Sequence, residues 1–200
     1  MKRIYFDYAA STPVAPAVVK AMRPYFSEKF GNAGSLHRFG QEAAAALEES
    51  REKILKIIGG AETDRLIFTG SATEANNLAL RGVVKAFGGR VFPNTGRSAA
   101  RLRIIVSAIE HESVLETCRD LERDGVEVVY LPVDRGGIVD SRKLKESLNE
   151  RAVLVSVMYA NNEIGAIQPI ADISKIIKAF RDRRLTSGGD FQYPIFHTDA

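Results

Sequence analysis

The chain has 200 residues, of which 45% are hydrophobic and 26% charged, so it can bury a sizeable core and is too apolar to be disordered. Its net charge of +3 comes with no aromatic platform or recognition motif, which argues against nucleic-acid binding. The single cysteine, Cys118, excludes an internal disulfide framework, and we expect a soluble, cytoplasmic protein with no membrane-spanning segment and no signal peptide.

Residues 1–40 are predicted to be irregular, because prolines and glycines interrupt them throughout. Such a segment is expected to pack on a neighbouring domain rather than to form a core of its own. Gln41 to Ile58 follows as a long amphipathic helix, which Gly59 and Gly60 end. The sequence therefore predicts an N-terminal segment, residues 1–40, and one domain over residues 41–200.

Short apolar runs alternate with helical patterns in the rest of the chain. The runs are nearly continuous, as expected for strands that are covered on both faces, and the strict alternation predicts a mostly parallel, doubly wound α/β sheet. The predicted strands are 66–69, 103–107, 126–132, 153–158 and 195–198, and the predicted helices are 72–87, 112–123, 141–148 and 170–180. The stretches 88–100 and 185–193 are predicted to be loops.

The first polar motif, residues 69–77, leads from a predicted strand into a helix. Gly70 permits a tight turn, and the free amides of the helix's first turn would form an anion site. Taken alone, however, the motif favours an ordinary capped helix start, with Ser71 as N-cap and Glu74 completing a capping box. The motif lacks the Gly-Lys-Ser/Thr of a nucleotide-binding loop.

Three more polar groups follow predicted strands. His111 could stack on a ligand or move protons, or could simply cap the next helix. Asn161 and Asn162 could form a turn, or could donate a hydrogen bond to an anionic oxygen. Asp199 needs a cation beside it, because an unpaired buried carboxylate is costly.

Together these four motifs place a phosphate cradle, an imidazole, an amide and an acid at the carboxyl ends of neighbouring parallel strands, where α/β proteins bind ligands. That set matches pyridoxal phosphate (PLP), whose ring nitrogen must stay protonated for the ring to withdraw electrons. The scattered positions of the three histidines argue against a metal site.

At this point the sequence resembles the cysteine desulfurases, a branch of the class V aminotransferases with the fold-type-I PLP architecture. The resemblance covers essentially the whole chain. It rests on residues 7–13 (DYAASTP), 31–37 (GNAGSLH), 70–77 (GSATEANN), 110–111 (EH), 161–165 (NNEIG) and 197–200 (HTDA).

The resemblance implies a role for each site residue. Ala72 and Thr73 would hold the cofactor phosphate, and His111 would stack on the ring and assist proton transfer. Asn162 would donate to the phenolic oxygen of the ring, and Asp199 would pair with the ring nitrogen. The family also implies an α/β/α large domain, L-cysteine as substrate, a homodimer, and a sulfur acceptor or iron–sulfur scaffold protein as partner.

In the family, the lysine that binds the cofactor and the persulfide cysteine follow the aspartate, so we expect this chain to be an N-terminal portion that is inactive alone. Cys118 falls inside a predicted helix and is interpreted as a structural residue. Three alternatives remain: another class V enzyme such as a selenocysteine lyase or a small-amino-acid aminotransferase, a non-catalytic partner chain, and a split enzyme completed by a second polypeptide.

Overall fold

A computed structural model describes residues 3–87, 102–185 and 193–200. Its contacts divide the chain into two compact units, Met1–Phe68 and Thr69–Ala200. The boundary predicted between residues 40 and 41 falls inside a helix of the first unit, and the predicted domain division stays a prediction. The predicted loop 88–100 and most of the predicted loop 185–193 lie outside the described residues.

The first unit is helical and forms almost no core. Gly40 is the one buried residue among its described residues, whereas Phe6 and Leu36 are more than 90% exposed. The irregularity predicted for residues 1–40 was only partly right, and their expected packing on a neighbouring domain stays a prediction. Two short helices, α1 (Pro16–Met22) and α2 (Pro24–Ser27), precede the long helix α3 (Arg38–Ile57).

Helix α3 ends where the glycine pair predicts. Gly59 has a φ of 70°, and the amide of Gly60 donates to the carbonyl of Leu55 at 2.8 Å. Glycine adopts this left-handed conformation without a steric penalty, so the last carbonyls of the helix obtain donors.

The described elements of the second unit are α4 (Ala72–Phe87), β1 (Arg103–Ser107), α5 (Glu112–Arg123), β2 (Glu127–Leu131), α6 (Ser141–Ser147), β3 (Ala152–Ser156), α7 (Ile170–Leu185) and β4 (Ile195–His197). The strands form a four-stranded parallel sheet in the order β2-β1-β3-β4, which confirms the predicted sheet type. Helices α4 and α5 share one apolar cluster with the sheet, and helices α6 and α7 share the other, so the unit has three layers.

The predicted strand at residues 66–69 is wrong. The segment forms no strand, and Ile67 and Phe68 are 67% and 45% exposed. A strand is stabilised by its partner, and none of the described residues pairs with this segment. The other differences concern ends: β3 stops at Ser156 rather than Met158, and α7 runs on to Leu185.

Candidate cofactor site at the carboxyl edge of the sheet

Helix α4 begins with the predicted cap. The Ser71 hydroxyl accepts from the amide of Glu74 at 3.1 Å, and the Glu74 carboxylate accepts from the amide of Gly70 at 2.7 Å. In the described part of the chain, nothing accepts a hydrogen bond from the amides of Ala72 and Thr73. Both residues are exposed, so the capped helix start also leaves two donors and the Thr73 hydroxyl open to an anion.

His111 follows β1 and is the N-cap of α5. Its Nδ1 atom accepts from the amide of Ser113 at 3.1 Å and lies 2.8 Å from the Ser113 hydroxyl oxygen. Because a backbone amide can only donate, Nδ1 carries no proton in this arrangement, and the ring proton of the neutral imidazole sits on Nε2. The residue is exposed, so the capping role that the sequence allowed leaves the ring available to a ligand.

Asp199 follows β4 and is tied to α4 by a buried amide. The Nδ2 atom of Asn76, a residue only 4% exposed, donates to Asp199 Oδ2 at 3.1 Å and to Ser113 Oγ at 2.9 Å. The Ser113 hydroxyl in turn contacts His111, so hydrogen bonds join the acid, α4 and the histidine. Among the described residues, no cation pairs with Asp199.

The two asparagines after β3 have different surroundings. Asn161 is buried: its amide donates to the carbonyl of Ile109 at 2.8 Å, and its oxygen accepts from the amides of Glu163 and Ile164, both at 2.9 Å. Asn162 is exposed, and its Nδ2 atom contacts Glu163 at 3.2 Å. Asn161 therefore fixes the loop, while Asn162 is the amide that a ligand could reach.

A second polar cluster lies beneath this edge. The Glu110 carboxylate, 5% exposed, accepts from the amide of Met158 at 2.6 Å and from the Ser156 hydroxyl at 3.2 Å. His197 Nδ1 lies 2.8 Å from the same hydroxyl oxygen. Burial, with a smaller contribution from the charge of Asp199, raises the pKa of Glu110 to about 7, while burial lowers the pKa of His197.

Sequence reasoning assigned no role to Asn76, Ser113 or Glu110, although Asn76 and Glu110 stand inside motifs that it singled out. A polar residue at a helix position that faces the core was the available signal for Asn76, since it precedes the apolar Leu80 by one helical turn. Cys118 is fully buried on α5, as its helical position predicted.

The described residues contain no group of side chains placed to hold a metal ion and no helix long and apolar enough to cross a bilayer.

The family described as aminotransferase class-V matches residues 4–185. The cysteine desulfurase IscS of Dictyoglomus turgidum is 48% identical over 202 aligned residues, which cover 100% of this chain and 45% of that protein. The cysteine desulfurase IscS of Rickettsia bellii is 48% identical over 176 residues, covering 88% of this chain and 40% of that protein. The chain spans less than half the length of these curated relatives.

Several solved structures are similar to this chain in fold. A NifS-like protein superposes with a TM-score of 0.85 at 36% identity, covering 100% of this chain and 49% of that one. The structure described as SspA in complex with cysteine gives a TM-score of 0.81 at 34% identity, covering 98% and 50%. The cysteine desulfurase from Thermococcus onnurineus gives 0.76 at 26% identity, covering 98% and 44%. These likenesses confirm the predicted α/β fold.

Proposed function

We propose that this chain, which belongs to the aminotransferase class-V family, carries the PLP site of a cysteine desulfurase. The observation that carries the proposal is the hydrogen-bonded connection from Asp199 through Asn76 and Ser113 to His111, beside the open amides at the start of α4. It joins an acid, an imidazole and an anion site at the carboxyl edge of the sheet, where such folds bind ligands.

The residues present fit the cofactor. The amides of Ala72 and Thr73, with the Thr73 hydroxyl, would bind the phosphate at the positive end of the α4 dipole. The exposed ring of His111 would stack on the cofactor ring. The Asn162 amide would donate to the phenolic oxygen.

Asp199 would supply the charge that the ring needs. Bound PLP acts as an electron sink, and this chemistry requires a protonated ring nitrogen. Asp199 lacks a cation among the described residues, and the single donor from Asn76 holds one of its oxygens. Its carboxylate would therefore pair with that nitrogen and keep the nitrogen protonated.

For the whole protein we propose the conversion of L-cysteine to L-alanine, with the sulfur passed to an enzyme persulfide. The proposal is supported by the curated relatives, which are named as cysteine desulfurases, and by the solved SspA structure, which is described as a complex with cysteine. A homodimer, a sulfur acceptor or iron–sulfur scaffold protein as partner, and a cytoplasmic location belong to the same proposal. The lysine that binds the cofactor and the persulfide cysteine are not assigned to any residue of this chain.

The proposal is tested by titrating the purified chain with PLP and following the cofactor absorbance. We expect saturable binding that Asp199→Asn weakens about tenfold or more, since a hydrogen bond between charged groups is worth about 1.5–3 kcal/mol. Asp172→Asn is the matched control, because Asp172 lies exposed on α7 and pairs with Lys175.

Equal binding by the Asp199→Asn variant and the unaltered chain, or the absence of saturable binding, would contradict the proposal. Borohydride treatment followed by peptide mass mapping adds a second readout. An adduct at one specific lysine of this chain would assign the cofactor lysine here, contrary to the expectation from the sequence. We expect no specific adduct.

A further inference from the structure

The buried cluster of Glu110, Ser156 and His197 is not used by the site described above. Ser156 and His197 are direct register partners on β3 and β4, so their side chains emerge on the same face of the sheet. The Ser156 hydroxyl lies between the two titratable groups, 3.2 Å from Glu110 Oε2 and 2.8 Å from His197 Nδ1. Ser156 is fully buried and Glu110 nearly so, so the described chain, rather than bulk water, surrounds the serine hydroxyl.

The geometry fixes which oxygen of Glu110 can carry a proton. Oε1 lies 2.6 Å from the backbone amide of Met158, and a backbone amide can only donate, so Oε1 accepts in every state. A proton on Glu110 therefore sits on Oε2 and points at Ser156. A serine hydroxyl has one proton, so it donates in one direction only and accepts from the other side.

Two hydrogen-bond arrangements follow. With Glu110 ionised, Ser156 donates to Oε2 and accepts from His197, whose neutral ring then carries its proton on Nδ1. With Glu110 protonated, Oε2 donates to Ser156, Ser156 donates to Nδ1, and the ring proton sits on Nε2. The second state converts to the first when Nε2 releases one proton, Glu110 passes its proton to Ser156, and Ser156 passes its own to Nδ1.

We propose that Glu110 is a positioning residue of the site, which acts through Ser156 to set which ring nitrogen of His197 carries the proton. His197 stands two residues before Asp199, and the charge of Asp199 acts on both Glu110 and His197. The protonation state of the buried Glu110 therefore affects the end of β4, where Asp199, the proposed partner of the cofactor ring, lies. The inference deepens the proposed function and rests on it for any effect on the reaction.

The neighbouring charges permit this exchange near neutral pH. Burial lowers the pKa of His197, so near neutral pH the ring is uncharged and has two tautomers. Burial raises the pKa of Glu110 to about 7, so both of its states are populated. The charge of Glu110 also acts on Cys118 of α5, but burial raises the pKa of that thiol to about 12 and keeps it neutral. The facing side chain of α4, Asn76, is uncharged, and His111 directs its Nδ1 to the start of α5.

The test is ¹⁵N nuclear magnetic resonance of the 200-residue chain labelled at its three histidines, which reports the protonation of each ring nitrogen directly. His37→Asn and His111→Asn each remove one set of signals and so assign His197. From about pH 6 to about pH 8, one unit on either side of the Glu110 pKa, we expect the proton of His197 to move from Nε2 to Nδ1. The tautomer ratio should change about fivefold, as one hydrogen bond is worth about 1 kcal/mol.

Two variants separate this proposal from a purely structural role. In Glu110→Gln the amide oxygen keeps the Met158 contact, so the amide nitrogen donates to Ser156 and holds His197 in the Nε2–H form at both pH values. Ser156→Ala breaks the connection and should abolish the pH-dependent exchange while leaving both titratable groups in place. The two variants are predicted to differ from each other, because only Glu110→Gln keeps the Ser156 hydroxyl that holds His197 in the Nε2–H form, and loss of packing alone would not fix the tautomer.

Three results would overturn the proposal: a tautomer that does not change with pH in the unaltered chain, a change that survives in Ser156→Ala, or a doubly protonated His197 ring at about pH 7. The measurement needs no cofactor. Failure of PLP to bind would therefore contradict the proposed function and leave this result standing, and a fixed tautomer in a chain that binds PLP would contradict only the positioning role.

Discussion

The buried carboxyl of Glu110 makes the stability of the second unit depend on pH. Its pKa is raised from 4.5 to about 7, so the folded chain keeps this proton over a range in which the unfolded chain has lost it. The contribution to stability is complete below about pH 4.5, falls as the pH rises through 7, and is lost above that. The shift corresponds to about 3 kcal/mol at pH 8, because each pKa unit is worth about 1.4 kcal/mol.

Glu110→Gln removes the charge and keeps the hydrogen bonds, with its oxygen towards Met158 and its amide nitrogen towards Ser156. We expect the variant to match the unaltered chain at about pH 4 and to be more stable by about 3 kcal/mol at pH 8. Urea unfolding followed by far-ultraviolet circular dichroism measures both values.

Glu150→Gln is the matched control, since this exposed glutamate stands just before β3. The control should leave the free energy of unfolding within about 0.5 kcal/mol at both pH values. His197 makes stability depend on pH in the opposite direction. Because its pKa is lowered, its contribution to the free energy of unfolding is lost as the pH falls below 6.5. The unaltered chain and the Glu110→Gln variant both contain His197, so this contribution is common to the two. A difference between Glu110→Gln and the unaltered chain that is the same at both pH values, or a destabilised variant at pH 8, would refute the reasoning.

Two further predictions follow from local contacts. Gly137→Ala should lower the free energy of unfolding by about 2 kcal/mol in the same urea assay, because Gly137 has a φ of 79° and an added Cβ would lie 2.9 Å from the Cβ of Ala166; an unchanged midpoint would contradict this. Cys118 is fully buried, and burial raises the pKa of its thiol to about 12, so a thiol reagent should label it only in denaturant; labelling of the folded chain at the unfolded rate would contradict this.

Local pattern was sufficient for most elements of the second unit. All five residues of β3 are buried, and its apolar run predicted the strand without any knowledge of its neighbours. Helix α5 begins at Glu112, after the His111 cap, as the sequence predicted. Periodicity and capping act over a few residues, so a single sequence contains the information for them.

Long-range contacts were out of reach of the same reasoning. Residues 66–69 have strand-like composition but lack a partner among the described residues, and composition cannot supply one. Asn76 contacts Ser113 and Asp199, which lie 37 and 123 positions away. No periodicity links such positions, so the sequence predicted which strand ends carry polar groups but not the buried amide that joins them.

The two acids at this edge show why position alone does not assign a role. Glu110 and Asp199 both follow parallel strands, and the charge of Asp199 disfavours charge on Glu110. Glu110 is buried with a hydroxyl and one amide as its donors, so burial keeps it partly protonated near neutral pH. Asp199 is only half-buried and accepts from Asn76. Different surroundings therefore suit Asp199 to its proposed role as the partner of a cation and Glu110 to its proposed role as a proton donor within the fold.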